Sequence, residues 1–457
     1  MSGFPESTAY RAWGRVERVR HRVIRPGDPL AAREALARRG GLSVLAHGLG
    51  RSYGDSCLNP DGLLILTRGL DRLLAFDPLT GLLRCEAGVS LDELLVTICG
   101  RPAPGGGIWY LPVTPGTRFV TVGGAIANDV HGKNHGVAGS FGRHVAALEL
   151  LRGDGTRSSC SPDRNRELFA ATVGGLGLTG LILEATLRLV RVEGLLLEVE
   201  DLRLDDLEGF YRAAEDSAAW TYTVAWVDCL ARGRGLGRGI FSRARHRPGG
   251  SAPPPTAPRL GVPLTPPVSP LNRLTLRAFN ALLWRRLGPR GRRRRLLPAH
   301  QFLFPLDAIA GWNRLYGPRG FRQYQCVVPE AGASTAVRRL LETIAAAGEG
   351  SFLAVLKTLG APTSPGLLSF PMAGTTLALD FPERGSDTLE LLARLDRIVL
   401  DAGGRLYPAK DGRMPADVFR AGFPAWERFA GLVDPAFSSG FWQRVGSSSG
   451  RPVARAA

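Results

Sequence analysis

Three glycine clusters in the first 180 residues constrain this chain more than any other feature: HGLGRSYGD from His47, TPGTRFVTVGGAIANDVHGKNHGVAGSFG from Thr114, and ATVGGLGLTG from Ala171. Glycine at this density lets a backbone turn sharply and come close to a ligand. In the first cluster, Gly48, Gly50 and Gly54 allow successive N–H groups to point at one anion, a nest suited to a pyrophosphate. Arg51 and Ser52 add donors at the same turn, which favours the nest over a plain tight turn. In the second, Pro115 and Gly116 make a turn, and Gly123 and Gly124 permit close approach of a flat ligand. His131, Lys133, Asn134 and His135 then crowd titratable groups between small residues, which argues for backbone packed on a ligand rather than a solvated loop. In the third, Gly175, Gly177 and Gly180 match GxGxxG, but a dinucleotide fingerprint needs a strand before it and a helix after it. The strand-like run LILEATLRLV follows instead, so a Rossmann site is rejected, and a nicotinamide dehydrogenase with it.

The length, 457 residues with 44% hydrophobic, predicts two or three domains. GLSVLAHG and GLLILT read as buried strands. Between residues 243 and 300 the composition turns proline- and arginine-rich, which predicts a mobile insert. Within it, NRLTLRAFNALLWRRLG has helical spacing, with Leu274, Ala278 and Leu282 on one side beside Phe279 and Leu283. A basic amphipathic stretch of this kind fits either a loop or contact with an acidic membrane. Downstream, FRQYQCVVP, AGASTAVRRLLETIAAAG, SFLAVLKTLG, TTLALDFP, SDTLELLARLDRIVLDAGG and GRLYPAKD spell strand–helix–strand–strand–helix–strand, the ferredoxin-like order. Asp387 and Glu390 are spaced as a capping box, with Gly403 and Gly404 as the stop. In the first of these strands Tyr324, Cys326 and Val328 share one face, and Gln323 and Gln325 share the other, a polar face suited to a ligand.

The net charge of +17 favours anionic partners, with compositional drift as the alternative. Lysine occurs only at Lys133, Lys357 and Lys410 among 58 basic residues. Arginine stays protonated in a protein, whereas a buried lysine can lose its proton. All three lysines fall inside the segments already singled out. No run of eighteen apolar residues and no secretory leader is evident. Six scattered cysteines without a CxxC pair fit free thiols in a reducing compartment, so a cytoplasmic protein, or one peripheral at the membrane, is expected, with no metal site.

Together HGLGRSYGD, VTPGTRFVTVGGAIANDVHGKNH, VGGLGLTG, GPRGFRQYQ, SFLAVLKTLG and GRLYPAKD resemble the decaprenylphosphoryl-β-D-ribose oxidases. These belong to the p-cresol-methylhydroxylase-type (PCMH-type) FAD-binding superfamily, which includes vanillyl-alcohol oxidase and aldonolactone oxidases. The resemblance implies an α+β fold: a two-subdomain PCMH-type FAD-binding domain plus a cap domain with a ferredoxin-like antiparallel sheet. Residues 1–192 would form the FAD domain, 193–404 the cap with the 243–300 insert, and 405–457 a segment returning to the FAD domain. Gly48, Leu49, Gly50, Arg51, Ser52, Tyr53 and Gly54 would hold the pyrophosphate. Gly116, Thr117, Gly123, Gly124, Ala127, Asn128, His131, Gly175, Gly177, Gly180 and Tyr407 would line the rest of the FAD. Lys133, Gln323, Gln325, Lys357, Thr376, Ala378 and Tyr53 would face the substrate. Two positions depart from the family pattern and reshape the pocket: Ala378 stands in place of a cysteine, and Thr376 in place of an asparagine. Some relatives tether flavin through a histidine in the pyrophosphate loop; Arg51 stands there, so the FAD is expected to be non-covalent.

The chemistry implied is oxidation of a secondary sugar hydroxyl, the 2′-hydroxyl of a polyprenylphosphoryl ribose. A short-chain NAD(P)H reductase would complete a 2′-epimerisation, and no nucleic-acid partner is expected. The proton acceptor is open between Lys410 and His131. A soluble aldonolactone-type sugar oxidase is the alternative, and a non-catalytic basic membrane-binding protein a remoter one.

Overall fold

A computed structural model describes residues 3–446, save Arg259 and Pro289. The N-terminal part holds two sheets. The first runs Glu6–Ser7, His21–Ile24, Leu63–Leu66, Val44–His47, with parallel pairing among the last three strands. GLLILT is the strand Leu63–Leu66, buried on both faces, as a continuous apolar run requires. The second is a five-stranded antiparallel sheet in the order Leu73–Asp77, Leu82–Glu86, Leu181–Arg188, Val145–Leu151, Arg157–Cys160. LILEATLRLV thus supplies a central strand, which accounts for the rejected dinucleotide motif.

The cap is one eight-stranded sheet. Its strands are β1 (Leu196–Leu204), β2 (Tyr222–Val227), β3 (Gly239–His246), β4 (Arg292–Pro298), β5 (Phe321–Pro329), β6 (Ala354–Leu359), β7 (Gly374–Pro382) and β8 (Arg405–Leu406). Helix α1 (Leu207–Glu215) joins β1 to β2, α2 (Arg273–Arg285) lies between β3 and β4, α3 (Ala333–Ala347) joins β5 to β6, and α4 (Ser386–Asp401) joins β7 to β8. The spatial order is β4-β1-β3-β2-β6-β7-β5-β8. The expected ferredoxin-like unit is the half β6-β7-β5-β8. The other half, β4-β1-β3-β2, repeats the same element order and sheet order, and the two join through Ala225↔Leu356 and Trp226↔Val355.

Three expectations are corrected here. Residues 243–300 are not an insert outside the sheet: they carry the end of β3, all of α2, and edge strand β4. The arginine run of β4 reads as a solvated loop because its partners are distant in sequence. Buried Glu200 on β1 pairs with Arg292 (2.5 Å) and Arg294 (2.7 Å), and Asp201 pairs with Arg295 (3.1 Å). The second correction concerns α2, where Leu276 and Asn280 are buried while Leu274 and Leu282, the stripe expected to pack, are 77% and 73% exposed. Third, α4 begins at Ser386, so Asp387 falls inside the first turn and forms no capping box. The Thr388 hydroxyl instead accepts from the Arg384 N–H (3.1 Å).

α3 and α4 bury Val337, Leu340, Leu341 and Ile344, and Leu391, Leu392, Leu395 and Val399, against one face of the sheet. Tyr324, Cys326 and Val328 join that core. Alternation along a strand then sends Gln323 and Gln325 to the opposite face, toward the glycine clusters. The chain returns to the N-terminal part after β8: Val44 N–H donates to Ala436 O (2.8 Å), Gly153 N–H to Asp434 (2.8 Å), and Arg444 to Asp55 (2.7 Å).

Candidate active site

The HGLGRSYGD segment leaves the strand Val44–His47 and turns at Gly50 (φ +61°). Among the described residues, the backbone N–H groups of Gly48, Leu49, Gly50, Arg51 and Ser52 have no protein acceptor, the condition for an anion nest. Gly54 is glycine because a Cβ there would overlap the Asp411 carbonyl, which brings the Lys410 turn against this loop. The Tyr53 N–H donates to Ala409 O (2.9 Å) and locks the two segments together. The Arg51 guanidinium lies over Trp13 (4.1 Å), and its buried Nε has no partner among the described residues. Gly116 opens onto free space, whereas Gly123 packs on Ala87, and Gly175 and Gly180 pack on the carbonyls of Ala171 and Leu151. Those last three glycines are therefore explained by protein packing as well. Thr117 Oγ1 and the Arg118 N–H donate to Asp307 (2.7 and 2.8 Å), fixing the turn after Gly116.

The next stretch carries His131. Asn128 caps the short helix Val122–Ala127, and its carbonyl accepts from the Tyr407 hydroxyl (2.8 Å). Asp129 sits at φ +38°, uncommon for a residue other than glycine, held by the Gly142 N–H (2.8 Å) and the Ser369 hydroxyl (2.5 Å). This buried carboxylate, missed in the sequence, pins the entry to His131. The His131 ring lies 5.4 Å from both Phe370 and Tyr407, which stack on each other at 4.5 Å.

The polar face of the second half-sheet closes the site. Register places Gln323 opposite Asp380, Gln325 opposite Ala378, and Lys357 opposite Thr376, so these residues share one face. The Gln325 amide donates to His131 Nε2 (3.0 Å) and to Thr376 Oγ1 (3.3 Å), using both of its hydrogens. His131 Nε2 is thus an acceptor, the ring proton resides on Nδ1, and that buried Nδ1 has no partner among the described residues. Gln323 donates to Asp380 (2.6 Å). Asp380 was also missed, although counting in twos from Thr376 and Ala378 reaches it.

The three lysines converge. Lys410 Nζ stands 3.9 Å from the centre of the Tyr53 ring. Burial lowers it to about 7, with Asp380 opposing and Lys357 adding to the fall. Lys133 donates to Leu303 O (2.6 Å), and burial with Lys357 lowers it to about 7. Lys357 is lowered to about 8 by burial. Burial, Lys357, His135 and Lys410 push His131 well below its ordinary value, so it is a neutral ring and a weak base. Asp411, beside Lys410 in sequence, is not its partner: it accepts from Met414 N (2.8 Å) and from Arg444 (3.1 Å).

The cradle fits FAD: free N–H groups at the Gly50 turn suit a pyrophosphate, and the lone His131 Nδ1 and the open space at Gly116 lie farther along the same segments. An FAD binding domain family model matches residues 22–161. The decaprenylphosphoryl-β-D-ribose oxidase of Mycolicibacterium smegmatis is 39% identical over 97% of this chain and 98% of its own length. An L-gulonolactone oxidase of Mus musculus is 33% identical over 34% of each chain. A D-arabinono-1,4-lactone oxidase of Eremothecium gossypii is 25% identical over 51% of this chain and 44% of its own. Only the first of these three likenesses spans both the cradle and the whole cap sheet, and on it the chain belongs to the decaprenylphosphoryl-β-D-ribose oxidase family.

Proposed function

We propose that this protein oxidises the 2′-hydroxyl of a polyprenylphosphoryl ribose to a ketone, the oxidative half of a 2′-epimerisation. The observation that carries this is the convergence of the only three lysines with Gln323 and Gln325 above the cofactor cradle. Gly48–Gly54 hold the pyrophosphate. Gly116, Thr117, Gly124, Ala127, Asn128, Gly177 and Tyr407 line the rest of the cradle, and His131 Nδ1 donates into it. Gly123, Gly175 and Gly180 contribute backbone there. FAD held there would supply the oxidising power, as a hydride acceptor for the carbinol carbon. Lys410, neutral above about pH 7, takes the hydroxyl proton. His131, already accepting from Gln325 and held far down by burial, orients rather than titrates. Lys133 and Lys357 bind the substrate phosphate as compact charges, the bound anion favouring the protonated form that burial disfavours. Tyr53, Gln323, Gln325, Thr376 and Ala378 shape the sugar pocket.

The N-terminal part to residue 192, the cap through β8 (its last strand reaching Leu406, not ending at residue 404) and the segment that returns after it act as the cofactor, substrate and closing parts. The keto product calls for a hydride donor, a short-chain NAD(P)H reductase. The exposed Leu274 and Leu282 of α2, flanked by Arg273, Arg277 and Arg285, suit an interfacial helix on anionic lipid. Among the described residues no helix is long and apolar enough to cross a membrane. Co-sedimentation with phosphatidylglycerol vesicles that is lost in Leu274→Ser/Leu282→Ser supports peripheral contact; equal sedimentation of both proteins refutes it.

The deciding experiment is anaerobic reduction of the purified yellow protein by farnesylphosphoryl-β-D-ribofuranose. Bleaching by this compound and not by free sugars or aldonolactones is expected; the reverse pattern makes it an aldonolactone-type oxidase. Acid precipitation should leave the yellow colour in the supernatant, because no histidine occupies the Arg51 position, and a yellow pellet contradicts non-covalent FAD.

A further inference from the structure

Asp380 is a fully buried carboxylate on β7. One oxygen accepts from Gln323 Nε2 at 2.6 Å and the other from the Tyr316 hydroxyl at 3.1 Å. Gln323 also lies close enough to the Tyr53 hydroxyl to favour its ionised form, against the larger opposing effect of burial. Tyr316 stacks on Phe321 (4.1 Å), and Phe321 meets the Tyr53 ring edge-on (5.5 Å). Tyr53 carries Lys410 Nζ on its ring face (3.9 Å). A single packed chain therefore runs Lys410, Tyr53, Phe321, Tyr316, Asp380, with Gln323 bonded to its far end, and its aromatic members pack against one core. The neighbouring carboxylate, Asp411, is consumed by backbone N–H groups and Arg444. Among the described residues, that leaves Asp380 as the negative charge acting on Lys410.

We propose that Asp380 is the charge partner of Lys410: a positioning residue that holds Gln323 and Tyr316 in place and balances the ammonium formed when Lys410 takes the substrate's hydroxyl proton. This rests on Lys410 being the proton acceptor. In that step the O–H bond breaks and an N–H bond forms, so a neutral amine becomes a cation among Lys357, His131, Tyr53 and Asp380. Lys357 on β6 disfavours that cation, His131 is neutral, and Asp380 alone favours it. Burial raises the Asp380 carboxyl to about 6, with Gln323, Tyr316 and Lys410 opposing, so it is ionised at the pH where Lys410 works. The Tyr316 and Tyr53 hydroxyls stay protonated, both raised by burial and by Asp380.

Asp380→Asn keeps the shape and can keep both hydrogen bonds while removing the charge. The test measures the FAD content of Asp380→Asn and then the pH dependence of its anaerobic flavin reduction by farnesylphosphoryl-β-D-ribofuranose. FAD content should be unchanged. Lys410, without its counter-charge, should lose its proton more easily, moving the inflection of the rate profile to lower pH by about one pH unit or more. The plateau rate should fall about tenfold as the new ammonium goes unbalanced. An unmoved inflection in an FAD-replete variant overturns the proposal, even if the rate falls. If Asp380→Asn fails to load FAD, Asp380→Glu is measured instead: a retained charge should keep the inflection near that of wild type, and a shift as large as that expected for Asn overturns the proposal. Lys410→Arg separates this from the reading beneath it. A dead Lys410→Arg with an unmoved Asp380→Asn inflection sinks only the Asp380 role, whereas near wild-type reduction by Lys410→Arg sinks Lys410 as acceptor.

Discussion

The two halves of the cap sheet share one topology and use it differently. In the first half, Leu197, Val199, Tyr222 and Ala244 sink into the same core as Trp109, Tyr110 and Leu111 of the N-terminal part, so this face acts as glue. On the opposite face of this half the charges are spent on each other: burial would raise Glu200, yet Arg294, Arg243 and Arg292 hold it at about 2. In the second half the corresponding face stays polar: Gln323, Gln325, Lys357, Thr376 and Asp380 share it, and Gln325 meets His131 there. Topology therefore does not locate the site; what covers each face does.

The sharpest way to break this contrast is at Lys410. Lys410→Arg and Lys410→Met should each retain FAD and lose flavin reduction by about a hundredfold or more, since neither side chain accepts a proton at neutral pH. Stopped-flow bleaching checks this, and a Lys410→Arg enzyme near wild-type speed would falsify the assignment. On the first half, Leu197→Ala should cost roughly 2–5 kcal/mol of stability by opening a cavity between cap and FAD domain. Its FAD-loaded fraction should still be reduced at the wild-type rate, so a slowed reaction at unchanged melting temperature would erase the distinction between the halves.

A third measurement is the pH profile of wild-type reduction. The acceptor must be neutral, so the rate should climb as pH rises through about 7, the Lys410 value, and level off above it. Below the inflection the slope should be about tenfold per pH unit. A profile that instead falls with rising pH would point to a required cation. The smallest effect is expected for Lys357→Arg, which keeps the phosphate-binding charge: a few-fold rise in KM with kcat nearly unchanged. A collapse of kcat would move Lys357 from anion binding into the proton step.

The sequence by itself determined a good deal. Glycine has no substitute where a Cβ would overlap a carbonyl, as at Gly54, or where φ is positive, as at Gly50, so the cradle was written in residue type. Period-two alternation put Gln323 and Gln325 on one face and Tyr324, Cys326 and Val328 on the other, because successive strand residues must alternate. The lysine count marked three positions that turn out to be neighbours. What tertiary structure alone decided are pairings between distant residues. Glu200 made a strand of an arginine run ninety-odd residues away. Docking left the Leu274–Leu282 stripe of α2 outward, since helical spacing defines a face but not its orientation. Asp380 and Asp411 exchanged the partnership that adjacency suggested: electrostatic energy depends on distance through space and on burial, and neither is a property of position along the chain.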